Sequence, residues 1–455
     1  MVAFAQVLRT TTVVLALGSL AGAGSRVARA NPAGVVPTTG GGPGTLAHVE
    51  VDYEADYDTA LVTREQVGAS GADPLGPLPL QREFTSRQLR HMLTPRLELG
   101  IYRNLWISFA APVVLLQSSE LVLAGGAARA TSSTFLDGIL PANGFDAGSP
   151  GTALTSDLVF RGVERAGILE LRGGIGVAPM NQATDDTKPT WKIGTELHVP
   201  VGKVMKLDAG NPGAENGVST GVYELRAWTT VDRRYRYFEG WFEAFWQGPI
   251  YTPSTTQFQD LGFGSLNVAP AQTAGLGFGV ETYIVDNPET GNRVSVDLGT
   301  RLTAHFEGRG YSEMWEVFAF AGDAGRQGPL VLDSDPVTPG VQAKNHPGVT
   351  NIESYLEIAP RLTVRAKLGE HIKLSALAEL DWRSEHVISF GDAGIDLPTC
   401  STGAANCEND DNDAVNGGTA EVNPLHVPRI DLVGHRYHVD DSYGLVIGLE
   451  AQLAF

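Results

Sequence analysis

The sequence predicts an all-β chain: a transmembrane, antiparallel, up-and-down β-barrel of about twelve strands, with long extracellular loops and short periplasmic turns. Three observations carry this expectation. Apolar and polar residues alternate with period two over long runs. Most of these runs reach ten residues or more, against ~5–6 for an ordinary strand. Short and long connections alternate without exception, which is how a membrane barrel is built.

The first thirty residues read as a cleavable export signal. Arg9 opens a stretch TTTVVLALGSLAGAG, and Ala28-Arg29-Ala30 supplies a small-residue cleavage site. That stretch is short for a spanning helix, which needs ~20 apolar residues. Residues 31–45, NPAGVVPTTGGGPGT, read as a flexible periplasmic tail. The barrel is expected over residues 46–455. The net charge of −19 argues against nucleic acid, whose phosphates need clustered Lys and Arg.

The first strand is AHVEVDYEADY. It sets Val49, Val51, Tyr53 and Ala55 on one face and Glu50, Asp52, Glu54 and Asp56 on the other. LTPRLELGIY repeats the pattern, with Leu97, Leu99 and Ile101 opposite Arg96 and Glu98. NLWISFAAPVVLL follows after a turn at Arg103-Asn104. GILELRGGIGV alternates Leu169, Leu171 and Ile175 with Glu170 and Arg172, and TWKIGTELHVPV alternates Ile193 and Leu197 with Lys192, Glu196 and His198. Farther on, RVSVDLGTRLTAHFE and IESYLEIAPRLTVRAK keep the same period. The strands fall near 47–57, 89–102, 104–116, 166–178, 190–201, 219–232, 236–248, 273–285, 293–307, 351–367, 371–387 and 443–455. Five connections are short: Arg103-Asn104, MNQATDDTKP, RRYR, DNPETGN and LGEH. The others are long.

A closed barrel leaves no backbone group unsatisfied in hydrocarbon, so the apolar face meets lipid and the polar face lines the lumen. The expected lumen lining is Glu50, Asp52, Glu54, Asp56, Arg96, Glu98, Arg172, Glu224, Arg226, Glu243, Arg301, Glu357, Arg361 and Arg365, with Glu170 and Glu379 of the same parity. Arg90 and Arg96 are the expected cross-strand partners of the acidic ladder in strand one. Strand RYFEGWFEAFWQ turns Trp241 and Phe245 inward beside Glu239 and Glu243. That arrangement suggests a slide for sugars or organic cations, unless the register slips by one.

The chain ends YGLVIGLEAQLAF, with Tyr443, Leu445, Ile447, Leu449, Leu453 and Phe455 on one face. This resembles the C-terminal signature of Gram-negative outer-membrane β-barrel proteins. The resemblance implies an outer-membrane location among lipid and lipopolysaccharide. It also implies a last strand read by the barrel assembly machinery through residues such as Tyr443, Leu453 and Phe455. Fatty-acid-type outer-membrane transporters are similar in general architecture, though they carry a longer N-terminal hatch.

Other motifs have weaker readings. Cys400 and Cys407, in CSTGAANC, form an expected disulfide that pins an exposed loop. Asp410, Asp411 and Asp413 follow in a solvated acidic loop that lacks the glycine and final glutamate of an EF-hand. GLGFGVE, 275–281, is a strand with small inward residues rather than a nucleotide loop. Ser384, His386, Ser389 and Asp392 near one rim are the residues an outer-membrane hydrolase would use. His435 and His438 read as loop residues; no metal site and no cofactor is expected. The expected function is therefore a channel for passive passage of small polar or charged solutes. A rim enzyme acting on lipid or peptide, or a closed structural or adhesive barrel, are the alternatives. A lumen of twelve strands is intermediate between filled and open, and the connection 308–350 is long enough to fold inward and narrow it.

Overall fold

The computed structural model describes residues 47–66, 78–102, 104–258, 269–287, 289–333, 343–369, 371–391 and 425–455. The expected export signal, the tail, the cysteine pair, the acidic loop after it and Asp392 lie outside the described residues.

Twelve antiparallel strands close into one barrel. In chain order they are β1 (Ala47–Glu65), β2 (Leu80–Tyr102), β3 (Leu105–Ala110 and Val113–Leu123), β4 (Leu158–Arg161, Arg165–Ile168 and Leu171–Met180), β5 (Thr190–Val199) and β6 (Tyr223–Tyr235). There follow β7 (Phe238–Tyr251), β8 (Thr273–Asn287), β9 (Asn292–His305), β10 (Thr350–Ile352 and Tyr355–Leu368), β11 (Ile372–Arg383 and His386–Ser389) and β12 (Tyr437–Ala454). Each pairs with the next, and β12 returns to β1 through Val49↔Leu453, Tyr57↔Leu445 and Arg64↔Tyr437. The twelve expected strands are all present, and the five short connections join β2–β3, β4–β5, β6–β7, β8–β9 and β10–β11.

The outer face is apolar in a band. Val51, Phe109, Ile175, Phe278, Leu362 and Leu449 all point outward and are exposed. Tyr102, Tyr235, Tyr237, Phe238 and Phe455 are exposed beside the short turns, and Trp382 pairs with Tyr443 toward the other edge. Amphipathic rings at both edges are the girdles of a membrane barrel. The twelve residue steps of β12 from Tyr443 to Phe455 cross ~30 Å at ~3.4 Å per residue and ~40° of tilt. That matches the hydrocarbon thickness of a bilayer.

β1 and β2 run past their expected ends, to Glu65 and back from Leu80. Above the membrane band their inward residues turn apolar (Val62, Phe84), and a bulge between Val62 and Thr63 shifts the register. Polar-in alternation therefore stops marking the strand where it leaves the bilayer.

Inside the barrel, large and small residues face each other. Trp241 and Phe245 on β7 are buried and point inward, while Phe242 and Trp246 point outward. Their rings lie over the period-two glycines of β8. A Cβ at Gly275 would sit 2.5 Å from the Phe245 ring, and one at Gly279 would sit 2.5 Å from both the Trp241 ring and the Leu298 carbonyl. A glycine in a strand interior is unfavourable by itself, but here it gives each ring its bed.

Gly279→Val should therefore lower folding stability by about 1–3 kcal/mol, the cost of overpacking, read as a lower urea midpoint for the barrel refolded in detergent. An unchanged midpoint would show that Trp241 is free to move.

Candidate functional site

The lumen is built from alternate residues of all twelve strands, and its filling is uneven. On the β6–β11 side the charges are sealed in pairs. Arg226 reaches Glu243 at 3.0 Å, Arg301 reaches Glu379 at 3.0 Å, and Arg365 bridges Glu281 at 3.0 Å and Asp297 at 2.9 Å. Glu357 lies 3.5 Å from His305 and 3.6 Å from Arg383. Arg361 stacks over Trp241 at 4.5 Å and Arg226 over Phe245 at 4.5 Å, while the Trp241 indole donates to Asp297. Those rings are clamped in the wall by guanidinium groups on one side and glycines on the other. They offer no bare aromatic slide.

The β1–β2 side keeps space. Register sets Glu50 opposite Arg96 and Asp56 opposite Arg90, with Asp52 and Glu54 opposite Thr94 and Met92. Arg96 also lies 3.6 Å from Glu98 and 3.4 Å from Glu196. A cavity of about 90 Å³ is bounded by Glu50, Asp52, Glu54, Arg96, Arg172, Arg361, Arg365 and Glu450. A second cavity, of about 150 Å³, shares Glu54, Met92 and Arg172 with it and continues to Asp56, Glu170, Glu224, His305 and Tyr311. Thus Glu50, Asp52, Glu54, Arg96, Arg172, Arg361, Arg365, Asp56 and Glu224 border open volume. Glu98, Arg226, Glu243, Arg301 and Glu357 line neither of these two cavities.

Above the second cavity the long connections meet in a cap. Its centre is helix α2 (Trp315–Ala321), which with α1 (Ser133–Leu136) and α3 (Pro428–Asp431) makes three short α-helices among the described residues. All seven residues of α2 are buried, six of them apolar and the seventh, Glu316, paired. Phe318 packs on Phe390 and Tyr437, and Phe320 on Phe145. Trp315 and Ala319, one turn apart, face Met205, Phe258 and Tyr311 instead. In the connection 308–350 the described residues around α2 pack among the inward apolar residues of the strands, Val62, Phe84 and Val439.

One buried ion pair anchors α2. Arg165 of β4 reaches Glu316 at 2.5 Å, and its remaining donors go to the carbonyls of Lys206, Glu215 and Gly217. Ser119 donates to the other Glu316 oxygen, and Gly162 leaves room for that carboxylate, since a Cβ there would overlap it. The sequence carries a visible signal for this element, the run MWEVFAFA inside a long connection.

A polar cluster stands in the wall of the second cavity, which its members Glu170 and Glu224 line. His198 of β5 is 1% exposed; its Nε2 lies 3.1 Å from Glu196, and its Nδ1 lies 3.2 Å from Glu170 and 3.9 Å from Glu224. Glu196 and His198 share the inward parity of their strand. Their meeting with Glu170 and Glu224 depends on cross-strand register, Arg172↔His198 and Glu224↔His198.

The rim residues do not assemble a hydrolytic triad among the described residues. His386 Nδ1 faces the Ser384 carbonyl at 3.2 Å, Ser384 Oγ accepts from Leu356 N, and the His386 ring stacks on Tyr355. His438 bridges Glu385 and Glu65. Tyr443, Leu453 and Phe455 lie exposed on the outer face.

Two titratable groups in the cap act in opposite directions. Burial pushes Asp431 up to about 6 from 3.8, although it accepts from the Phe390 and Val427 amides. Burial, with Arg309 adding to it, pushes His346 down to about 3 from 6.5. As pH falls below 6.5, an opened cap takes a proton on His346 that the closed cap refuses, so stability is lost. As pH falls from 6 toward 3.8, the closed cap takes a proton on Asp431 that the opened cap does not, so stability is gained. The two offset each other over most of that interval. Asp431→Asn removes the gain, so amide exchange in α2, corrected for intrinsic rates, should quicken from pH 6 to about pH 4 in this variant and stay level in the parent. Equal profiles would contradict it.

No family model and no curated protein matches the chain. Among solved structures it is similar to an outer membrane channel from Pseudomonas putida F1 (9% identity, TM-score 0.37, covering 92% of this chain and 100% of that one). It is also similar to a Pseudomonas aeruginosa FadL homologue (10%, 0.33, 90% and 90%) and to the Escherichia coli outer membrane protease OmpT (5%, 0.29, 93% and 99%). The assignment rests on the chain's own ladder and apolar band rather than on these. The chain is a closed twelve-stranded β-barrel of the outer-membrane kind.

Proposed function

We propose that the chain is an outer-membrane channel for passive passage of small polar or charged solutes, held shut on its outer side by its own cap. The observation that carries this reading is the pair of adjoining cavities in the lumen, bordered by charged residues of β1 and β2 and of the strands that face them. A closed structural barrel has no use for such a volume, since ion pairs like those on the opposite wall could fill it. The larger cavity, of about 150 Å³, is of a size that holds one benzene-sized molecule. Mixed charge along the walls suits solutes that carry polar groups of either sign. Around the barrel the partners are lipid and lipopolysaccharide, and the exposed row ending in Phe455 is the element offered to the assembly machinery.

Removing one partner of a buried ion pair costs ~3–5 kcal/mol. Glu316→Ala should therefore raise the population of the uncapped barrel by more than ~100-fold. In planar bilayers the parent should conduct rarely, and Glu316→Ala should give frequent discrete steps. Their cation preference should fall when Glu50, Asp52, Glu54 and Asp56 are replaced by the amides. A folded, heat-modifiable Glu316→Ala barrel that passes no current would overturn the channel reading.

A further inference from the structure

The wall of the larger cavity has the makings of a metal centre. His198, Glu170 and Glu224 bring their ligand atoms within 4.8 Å of one another, although they come from three neighbouring strands or their ends. Ligands bound ~2.0–2.1 Å from a tetrahedral zinc ion lie ~3.3 Å apart. The observed 3.2 Å and 3.9 Å separations from His198 Nδ1 bracket that value.

The orientation of the imidazole is the second observation. Its Nε2 faces Glu196, which itself lies 3.4 Å from Arg96. A proton on Nε2 leaves the lone pair on Nδ1, aimed between Glu170 and Glu224. That nitrogen is buried, and the carboxylate oxygens nearest to it are those of Glu170 and Glu224, the two that would share a cation with it. A carboxylate behind a histidine is the usual outer support of a metal-bound imidazole. The two acids are braced in the same manner. Arg172 Nε donates to Glu170 at 2.6 Å, and Gln247 Nε2 donates to Glu224 at 2.6 Å. A carboxylate has about four acceptor sites, so each keeps lone pairs for a cation.

The geometry points to a divalent transition-metal site of the zinc class at His198 Nδ1, Glu170 and Glu224, with its remaining position facing the 150 Å³ cavity. One nitrogen and two oxygen donors suit zinc, whereas calcium takes six to eight oxygens. A cation there neutralises two of the three carboxylates that crowd His198. This centre goes beyond the channel reading and does not require it.

The test is zinc binding by the EDTA-stripped, folded barrel in detergent, by competition with a chromophoric chelator. One zinc per barrel is expected, not displaced by equimolar calcium. His198→Gln should abolish it, and Glu196→Gln, which touches no metal, should weaken it about 10- to 100-fold. Glu224→Gln gives the same reading if His198→Gln fails to fold, as judged by heat-modifiable mobility. No zinc bound, stoichiometry unchanged in the variants, or equal displacement by calcium would each overturn the site. Binding is read at equilibrium with no current passing. A barrel that binds zinc and never conducts, or conducts and binds none, therefore separates this inference from the channel.

Discussion

The ladder between the first and last strands is the constraint on which the rest depends. In hydrocarbon an unpaired backbone amide or carbonyl costs several kcal/mol. An open edge on β1 or β12 would carry a row of them. Pairing β1 with β12 from His48↔Ala454 to Arg64↔Tyr437 removes both edges at once. A buried ion pair, by contrast, roughly breaks even against apolar packing. Backbone closure therefore decides the architecture, and the lumen must be filled with whatever a twelve-strand circumference leaves.

Two kinds of filling result. Across β7, β8 and β9 the rings of Trp241 and Phe245 span the width over glycines, and guanidinium groups close the remaining gaps. Along β1 and β2 the side chains are shorter acids facing Arg90, Arg96, Thr94 and Met92, and volume remains. Where the strands rise above the lipid the inner wall gains apolar residues, and α2 fills it mostly by dispersion and hydrophobic burial, with the Arg165–Glu316 pair as its anchor. The barrel thus changes its interior chemistry along its axis while keeping one backbone geometry.

Much of this was legible in the residues. Period two gave the strand count and the inward parity of strand one, because lipid outside and water inside impose opposite polarities on neighbouring residues. That Arg90 and Arg96 face the acidic ladder follows from that parity; the exact pairings Glu50↔Arg96 and Asp56↔Arg90 are set by the β1–β2 register, which the turn at 103–104, joining β2 to β3, does not fix. The outer halves of β1 and β2 were not legible, since Val62 and Phe84 face an apolar cap and the alternation loses its contrast. The Glu170–His198–Glu224 cluster needed the register of three strands, which no single strand's pattern contains. The cap needed the meeting of connections far apart in the chain. Only the run MWEVFAFA hinted at it, and a run of that length reads equally as a buried strand.

The cap also says something about the order in which the molecule comes together. Its helix touches surfaces contributed by both ends of the chain: Phe318 rests on Tyr437 of β12, while Glu316 is held from β3 and β4. Before β12 meets β1 only part of that seat exists, and the entropy of joining such distant segments has not yet been recovered. A complete seat for the helix therefore exists only on the closed cylinder.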